Sequence, residues 1–286
     1  MISTRVLQRR IRSVENTAKI CKAMEMIATA KMKRSQDQAT AGRPYAKRIT
    51  EVISNLAYHA RAGGAPHPLL EKRATKKIAI IHFTTDRGLC GGLNANLNRV
   101  IGTFISEQIV PVTLITVGRK GRNFMLRAGQ TIRAEFTGIK DRVSLQDTLP
   151  ISRVIIDDYT KGDVDLVYLT YPHFVSTMVQ RPTMEVLLPV EPVELPPSGR
   201  GEYIYEPEPS VVLNELLPRF VEMQVYHAVL ELIASEQSAR MVAMRNASQS
   251  ATEVIEDLTL TLNKARQESI TNEICDISGG AEALNR

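Results

Sequence analysis

Two stretches without a helix breaker dominate this sequence. The first runs from Met1 to Gly42, and the second lies between Pro218 and Gly279. In both, apolar residues return at steps of three and four, the signature of an amphipathic helix. The first stripe is Ile2, Val6, Ile11, Val14, Ala18, Cys21, Met24 and Ala28. It thins between Lys31 and Arg43 and resumes at Ile49, Val52, Ile53 and Leu56. A helix of that extent is roughly 85 Å long at about 1.5 Å per residue, too long for a small domain to cover, so a partner helix is implied. The second stripe opens with Leu216, Phe220, Met223 and Tyr226 or His227. It continues through Leu230, Ile233, Met244, Ala247, Ala251, Val254 or Ile255, Leu258, Leu262 and Ala265. Pro218 falls in or near its first turn, or kinks it.

Two such stripes at opposite ends of one chain predict an antiparallel coiled coil. Large and small residues alternate across the seam when partner numbers add to about 264. Ile2 then faces Leu262, Val6 faces Leu258, Ala18 faces Ala247, Cys21 faces Met244, and Met24 faces Arg240. Residues past about 263 have no partner and form a lone tip carrying Ile270, Ile274, Ile277 and Leu284.

The middle of the chain follows another pattern. Residues 59–76, with Gly63, Gly64, Pro66 and Pro68, read as a linker. Apolar runs of strand length follow at Lys77–Thr84, Val112–Val117 and Leu166–Tyr171, with Met178–Pro189 as an edge strand. Helical stretches near Leu93–Glu107, Lys120–Ala128 and Leu145–Lys161 separate them. Buried strands alternating with helices predict a parallel α/β sheet. The expected fold is α/β: an antiparallel coiled coil of long N- and C-terminal helices plus a central Rossmann-like α/β domain. The expected boundaries are 1–58, 75–205 and 210–286.

Composition excludes several classes. Hydrophobic residues at 43% exclude a disordered polymer, and aromatics at 5% are few for one large globular core. No apolar run approaches the roughly 20 residues of a membrane-spanning helix. Arg5, Arg9, Arg10 and Arg12 imitate a presequence, but the apolar spacing continues unbroken past Glu15 and Glu25, so this segment reads as mature helix. Cys21, Cys90 and Cys275 lack paired spacing and suit a reducing compartment. Net charge is +9 over residues 1–50 and +8 over 51–142, then −8 over 143–217 and −4 over 218–286. Such a polar molecule meets different partners at different ends. Lys19, Lys22, Lys31, Lys33 and Arg34 suit either nucleic-acid phosphates or acidic protein loops. The lack of aromatics before Tyr45 weakens the former.

No phosphate-binding GxxxxGK[ST] loop, HExxH, GxSxG or paired-cysteine zinc spacing occurs, and the five histidines are scattered. The loop Asp86-Arg87-Gly88-Leu89-Cys90-Gly91-Gly92-Leu93-Asn94 has two readings. One is a phosphate cradle at a helix N-terminus; the other is a tight turn allowing close strand–helix approach. Gly118-Arg119-Lys120-Gly121 has the same two.

Longer blocks carry a resemblance. Lys22-Ala23-Met24-Glu25-Met26-Ile27-Ala28 with Lys31-Met32-Lys33, the Asp86–Asn94 loop, Ser235–Met244, Asn263-Lys264-Ala265-Arg266-Gln267, Ile270-Thr271-Asn272-Glu273 and Gly279-Gly280-Ala281 stand in one order along the whole chain. In these the sequence resembles the gamma subunits of F-type ATP synthases. The resemblance implies a non-catalytic rotor shaft. Its terminal helices turn inside a ring of alpha and beta subunits, and its α/β domain forms a foot with epsilon on the membrane c-subunit ring. It implies that Lys22, Met24, Lys31, Lys33 and Arg240 meet acidic beta-subunit loops. Arg266, Gln267, Thr271 and Glu273 would meet the catch region of the ring, and Ile274 would begin a tip in a hydrophobic sleeve. Tyr203 and Tyr205 would lie in the foot near the rotor ring. No cofactor, metal or nucleic acid is implied, and the place is peripheral, on the cytoplasmic face of a bacterial plasma membrane. Glu268 stands where the family pattern has a small residue. The missing close cysteine pair implies no thiol regulation of the chloroplast kind, and Cys90 is expected to be buried.

Overall fold

The computed structural model describes residues 3–62, 67–191, 206 and 208–284. The chain divides into two compact units, Met1–Ala28 with Met241–Arg286, and Thr29–Arg240. Helix α1 (Thr4–Ala62) and helix α5 (Pro209–Leu284) each supply residues to both. Tyr203 and Tyr205 lie outside the described residues.

The larger unit is built on a five-stranded sheet. After a 3-10 turn at Pro68–Leu70 come β1 (Ile78–Phe83), α2 (Leu93–Glu107), β2 (Val112–Val117), α3 (Arg119–Arg127), β3 (Ile132–Phe136), α4 (Leu145–Thr160), β4 (Leu166–Phe174) and β5 (Gln180–Leu188). The order is β3-β2-β1-β4-β5, parallel throughout except for β5, which runs antiparallel to β4. This is the expected Rossmann-like arrangement. Strand β3 was not foreseen. Its Ile-Arg-Ala-Glu-Phe alternates at the sheet edge and never forms an apolar run.

Strand parity sorts the core. Ala79, Ile81, Phe83, Ile115, Val117, Val167 and Leu169 point to one face. There they pack under α4, under Ile49, Ile53 and Leu56 of α1, and under Leu213, Leu217, Val221, Val225 and Val229 of α5. Ile78, Ile80 and Leu114 point to the other face, under Ile101 of α2 and Met125 of α3. Strand β1 is buried along its whole length, as a central parallel strand covered on both sides must be.

On the α2–α3 face this row turns polar toward the strand C-termini. Buried His82 shares a 2.9 Å hydrogen bond between its Nε2 and Asn98 Oδ1, and its Nδ1 lies 3.5 Å from Thr170 Oγ1. Gly121 opens α3 against this layer and donates its N–H to Thr84 Oγ1 at 2.8 Å. A Cβ on Gly121 would stand 2.7 Å from His82 Cδ2 and 2.8 Å from Thr84 Cγ2. Close approach therefore requires this glycine.

The smaller unit is a helix pair. On α1 the inward row is Leu7, Ile11, Val14, Ala18, Cys21, Glu25 and Ala28, spaced four and three alternately. On α5 it is Met241, Met244, Ser248, Ala251, Ile255, Leu258, Leu262 and Ala265. Both rows keep the coiled-coil period of 3.5. Val6 stands outward, 49% exposed, and Leu7 takes the core place expected for it. Val254 is likewise exposed and Ile255 turns inward. Ile2 lies outside the described residues. Between α1 and α5, Gln38 Nε2 donates to the Tyr226 hydroxyl at 2.8 Å in the larger unit, where partner numbers add to the expected 264. In the helix pair, Arg245 Nε donates to Glu25 Oε1 at 2.9 Å, where they add to 270. A parallel pair with that contact would carry the start of α1 alongside residues of the other unit, so the helices run antiparallel. Choosing the most apolar residue at each step put Met24 in the seam. The strict 3.5 spacing puts a carboxylate there, and hydrophobicity alone hides it.

Two outcomes follow. Gly121→Ala should destabilise the chain by about 1–3 kcal/mol through overpacking, read as a lowered midpoint in denaturant. Burial depresses the His82 pKa from 6.5 to about 4. The unfolded chain therefore binds the proton first. Stability present above about 6.5 should decline as pH falls toward about 4, by on the order of 3 kcal/mol in all. Replacing His82 with Gln should flatten that slope in equilibrium unfolding.

Candidate functional site

The glycine loop foreseen in the sequence follows the C-terminal end of β1 and lies beside the loops after β2 and β3. Asp86 organises it. One carboxylate oxygen accepts the Arg119 N–H at 3.0 Å and the other accepts the Gly138 N–H at 2.7 Å, tying together the loops after all three strands. Asn94 closes the turn from inside. Its Oδ1 accepts the Thr85 N–H at 3.1 Å, and its Nδ2 donates to Thr85 Oγ1 at 2.8 Å and to Cys90 Sγ at 3.3 Å. Cys90 is buried, and burial pushes its thiol pKa up. These bonds favour the tight-turn reading over the phosphate cradle. Leu89, at the apex, has φ 63 and is 61% exposed, so the turn holds a large apolar side chain outward in a conformation that side chains rarely adopt.

A cleft of about 390 Å³ opens beside this loop. Its cations are Lys31, Arg87, Arg119, Lys140 and Arg240; its acids are Asp86, Asp141 and Glu236. Lys31 Nζ lies 2.6 Å from Asp141. Arg240 is buried; it donates to Glu236 at 2.6 Å and to the Gly88 carbonyl at 3.2 Å. Burial raises the Glu236 pKa, and the Arg240 hydrogen bond opposes that rise. Arg240 thus fastens the glycine loop to α5 and offers little free surface. The sequence marked Arg240 but not its anchors, Glu236 and the Gly88 carbonyl, nor the ties that Asp86 and Asn94 make within the loops, which signal nothing until the loops meet.

In the helix pair, Lys22 is exposed and donates to Glu25 at 2.9 Å from one turn earlier. Lys19, Lys33 and Arg34 are also exposed, Lys31 and Met24 are half-buried, and Met24 and Arg240 fall in different units. Ile20, Met26 and Ile27 are exposed, so α1 bears apolar and basic residues side by side. On α5, Arg266, Gln267, Thr271, Glu273 and Ile274 all stand in solvent. Ile270, Ile274 and Ile277 expose a contiguous apolar row. All three cysteines are free; Cys21 is buried and Cys275 exposed. Among the described residues no helix is long and apolar enough to cross a membrane.

Comparison with known proteins agrees in scope with both units. A family model described as ATP synthase matches residues 3–284. The ATP synthase gamma chain of Dehalococcoides mccartyi strain CBDB1 is 62% identical over 284 residues, covering 99% of this chain and 100% of that one. The gamma chain of Herpetosiphon aurantiacus is 48% identical over 295 residues, covering 100% of both. Among solved structures, the central stalk and c-ring of Tetrahymena thermophila mitochondrial ATP synthase matches with a TM-score of 0.62 at 25% identity, over 80% of this chain and 99% of that one. The rotor of Euglena gracilis mitochondrial ATP synthase shares the fold, with a TM-score of 0.67 at 19% identity over 93% and 98%.

The Glu25 carboxylate supplies a test. Hydrogen bonds from Lys22 and Arg245 lower its pKa. The stability it adds is therefore present above the ordinary glutamate range and lost as pH falls through the lowered value. Removing both cations, as Lys22→Ala with Arg245→Ala, should take two charge-assisted hydrogen bonds from this buried carboxylate and cost roughly 1–3 kcal/mol. Glu25→Leu should be neutral or stabilising. Thermal unfolding of the two variants across the acid range checks the order; equal losses in both would remove the ion pair from the account.

Proposed function

The chain belongs to the gamma-chain family of ATP synthase, and on that premise we propose how its two units serve a rotary motor. The chain is the non-catalytic central shaft, and it couples rotation driven by ion flow to the conformational cycle of the catalytic beta subunits. Its partners are the alpha and beta subunits of the ring, the epsilon subunit and the c-subunit ring. It performs no bond chemistry of its own. What carries the reading is whole-length identity to gamma chains together with an antiparallel helix pair in which α1 presents apolar and basic residues to the exterior.

The coupling is thermodynamic. A shaft shifts a beta subunit between states only by contacting those states differently. An asymmetric two-helix rod, turned through the ring, meets each beta subunit with a different face in succession. We read residues 1–58 and 210–286 as the shaft helices and 75–205 as the foot. Lys22, Lys31 and Lys33, with Met24, would meet acidic beta loops, and Arg240 would support that surface by holding the loop at Gly88. Arg266, Gln267, Thr271 and Glu273 would engage the ring near the end of α5, and Ile274 would open the apolar tip. The proposal for Tyr203 and Tyr205 as foot contacts rests on their place in the sequence. The chain is membrane-associated through its complex. Bacterial relatives support the cytoplasmic face of a plasma membrane as the finer location.

Reconstitution with alpha and beta subunits tests this reading. The chain alone should not hydrolyse ATP, and in the ring it should turn as ATP is hydrolysed. Met24→Lys should lower ATP-driven ion pumping more than hydrolysis in the membrane-bound complex. Equal loss of both, or of neither, removes Met24 from the coupling surface.

A further inference from the structure

Strand β4 is longer than the neighbour that supports it. Its pairing with β1 ends at His82 and Thr170, yet β4 runs on to Phe174. The overhanging residues keep their antiparallel partners in β5, with Pro172 opposite Pro182 and Phe174 opposite Gln180. Neither proline has an N–H to give. Residues two apart in a strand turn their backbone groups to the same edge. The overhang therefore leaves a short row of backbone groups beyond the reach of β1.

Helix α5 completes that row with side chains. Glu231 Oε2 accepts the Phe174 N–H at 2.7 Å. Ser235 Oγ donates to the Pro172 carbonyl at 2.9 Å. Ser238 Oγ donates to the Thr177 carbonyl at 2.7 Å and accepts from Gln180 Nε2 at 3.3 Å. Glu231, Ser235 and Ser238 are all buried and stand four and three residues apart, on one face of the helix. His173 Nδ1 lies 3.3 Å from the Glu231 carboxylate and His227 Nε2 lies 3.8 Å from it.

We propose that Glu231, Ser235 and Ser238 form a rotational lock, by which α5 seizes the backbone of the β4–β5 hairpin and fixes its own angle about its axis against the sheet. The proposal rests on the shaft reading and deepens it. Apolar packing between α5 and the sheet is non-directional and tolerates sliding. A row of buried hydrogen bonds to backbone does not, because turning the helix breaks all of them and strands each buried group without a partner. Torque passing between the α/β unit and α5 thus has a rigid path that does not depend on side-chain interdigitation alone.

The test uses the full chain assembled in the membrane-bound complex. Two variants are compared with wild type: Ser235→Ala with Ser238→Ala, which keeps good helix formers in α5, and the same pair with Glu231→Ala. Hydrogen exchange at Phe174 and its hairpin neighbours should accelerate, by roughly tenfold or more in the triple variant. ATP hydrolysis should persist while ion pumping against a gradient falls and the stalled rotor shows wider angular fluctuations. Ser235→Thr with Ser238→Thr, which keeps both hydroxyls, should restore wild-type stiffness. Unchanged exchange overturns the lock. So does faster exchange with pumping and stiffness intact, which would make these bonds merely structural. A wild-type chain that does not turn in the ring overturns the shaft reading itself, and this control separates the two failures.

Discussion

A parallel sheet cannot leave a face in water, and in this chain that requirement binds the sheet to the long helices. Crossover helices α2 and α3 cover one face over a small core. The other face has only α4 from its own crossovers. The rest of its cover is Ile49, Ile53 and Leu56 of α1 and the Leu213–Ile233 row of α5. Without these helix segments the face of β1, β2 and β4 that carries Ile81, Ile115 and Leu169 would be exposed. The sheet and the inner parts of α1 and α5 therefore form one core, and neither is a complete folding unit by itself.

The same division explains what could be read in advance. Strands β1, β2 and β4 announce themselves because burial on both faces demands unbroken apolar runs. The long helices do so because breakers are absent over great lengths. Strand β3 did not, since an edge strand needs only half its side chains apolar. The residues of the coiled-coil seam are harder to read for a related reason. Apolar stripes repeat every seven residues, so several offsets look alike, and the observed one includes a carboxylate at Glu25 held by Arg245. A cross-helix contact identified the partners, and no single-strand pattern contains that information.

At the candidate site, the lysines of α1 were legible because a basic surface is a local property of sequence. The anchoring of Arg240 was not. Its partners Glu236 and Gly88 lie four residues away on its own helix and far off in the glycine loop, and only folding brings the loop to the helix. Asp86 is a similar case: a lone acid in a glycine-rich segment becomes the tie among three loops.

Along α5 the kinds of contact change in a way that suits a rotor. From Leu213 to Val229 its buried face is apolar, which supplies cohesion without fixing direction. From Glu231 to Arg240 the buried set includes Glu231, Ser235, Gln237, Ser238 and Arg240, several of which bond backbone groups of the β4–β5 hairpin and the glycine loop. From Met241 onward the inward row is again mostly apolar, at a 3.5 period. Buried polar groups are costly unless each finds its partner, so a concentration of them is a structural commitment to one geometry. It falls where α5 meets the ends of the strands. Cohesion can be spread over a long greasy surface, but an angle must be set by directional bonds, and those need only one short stretch of helix.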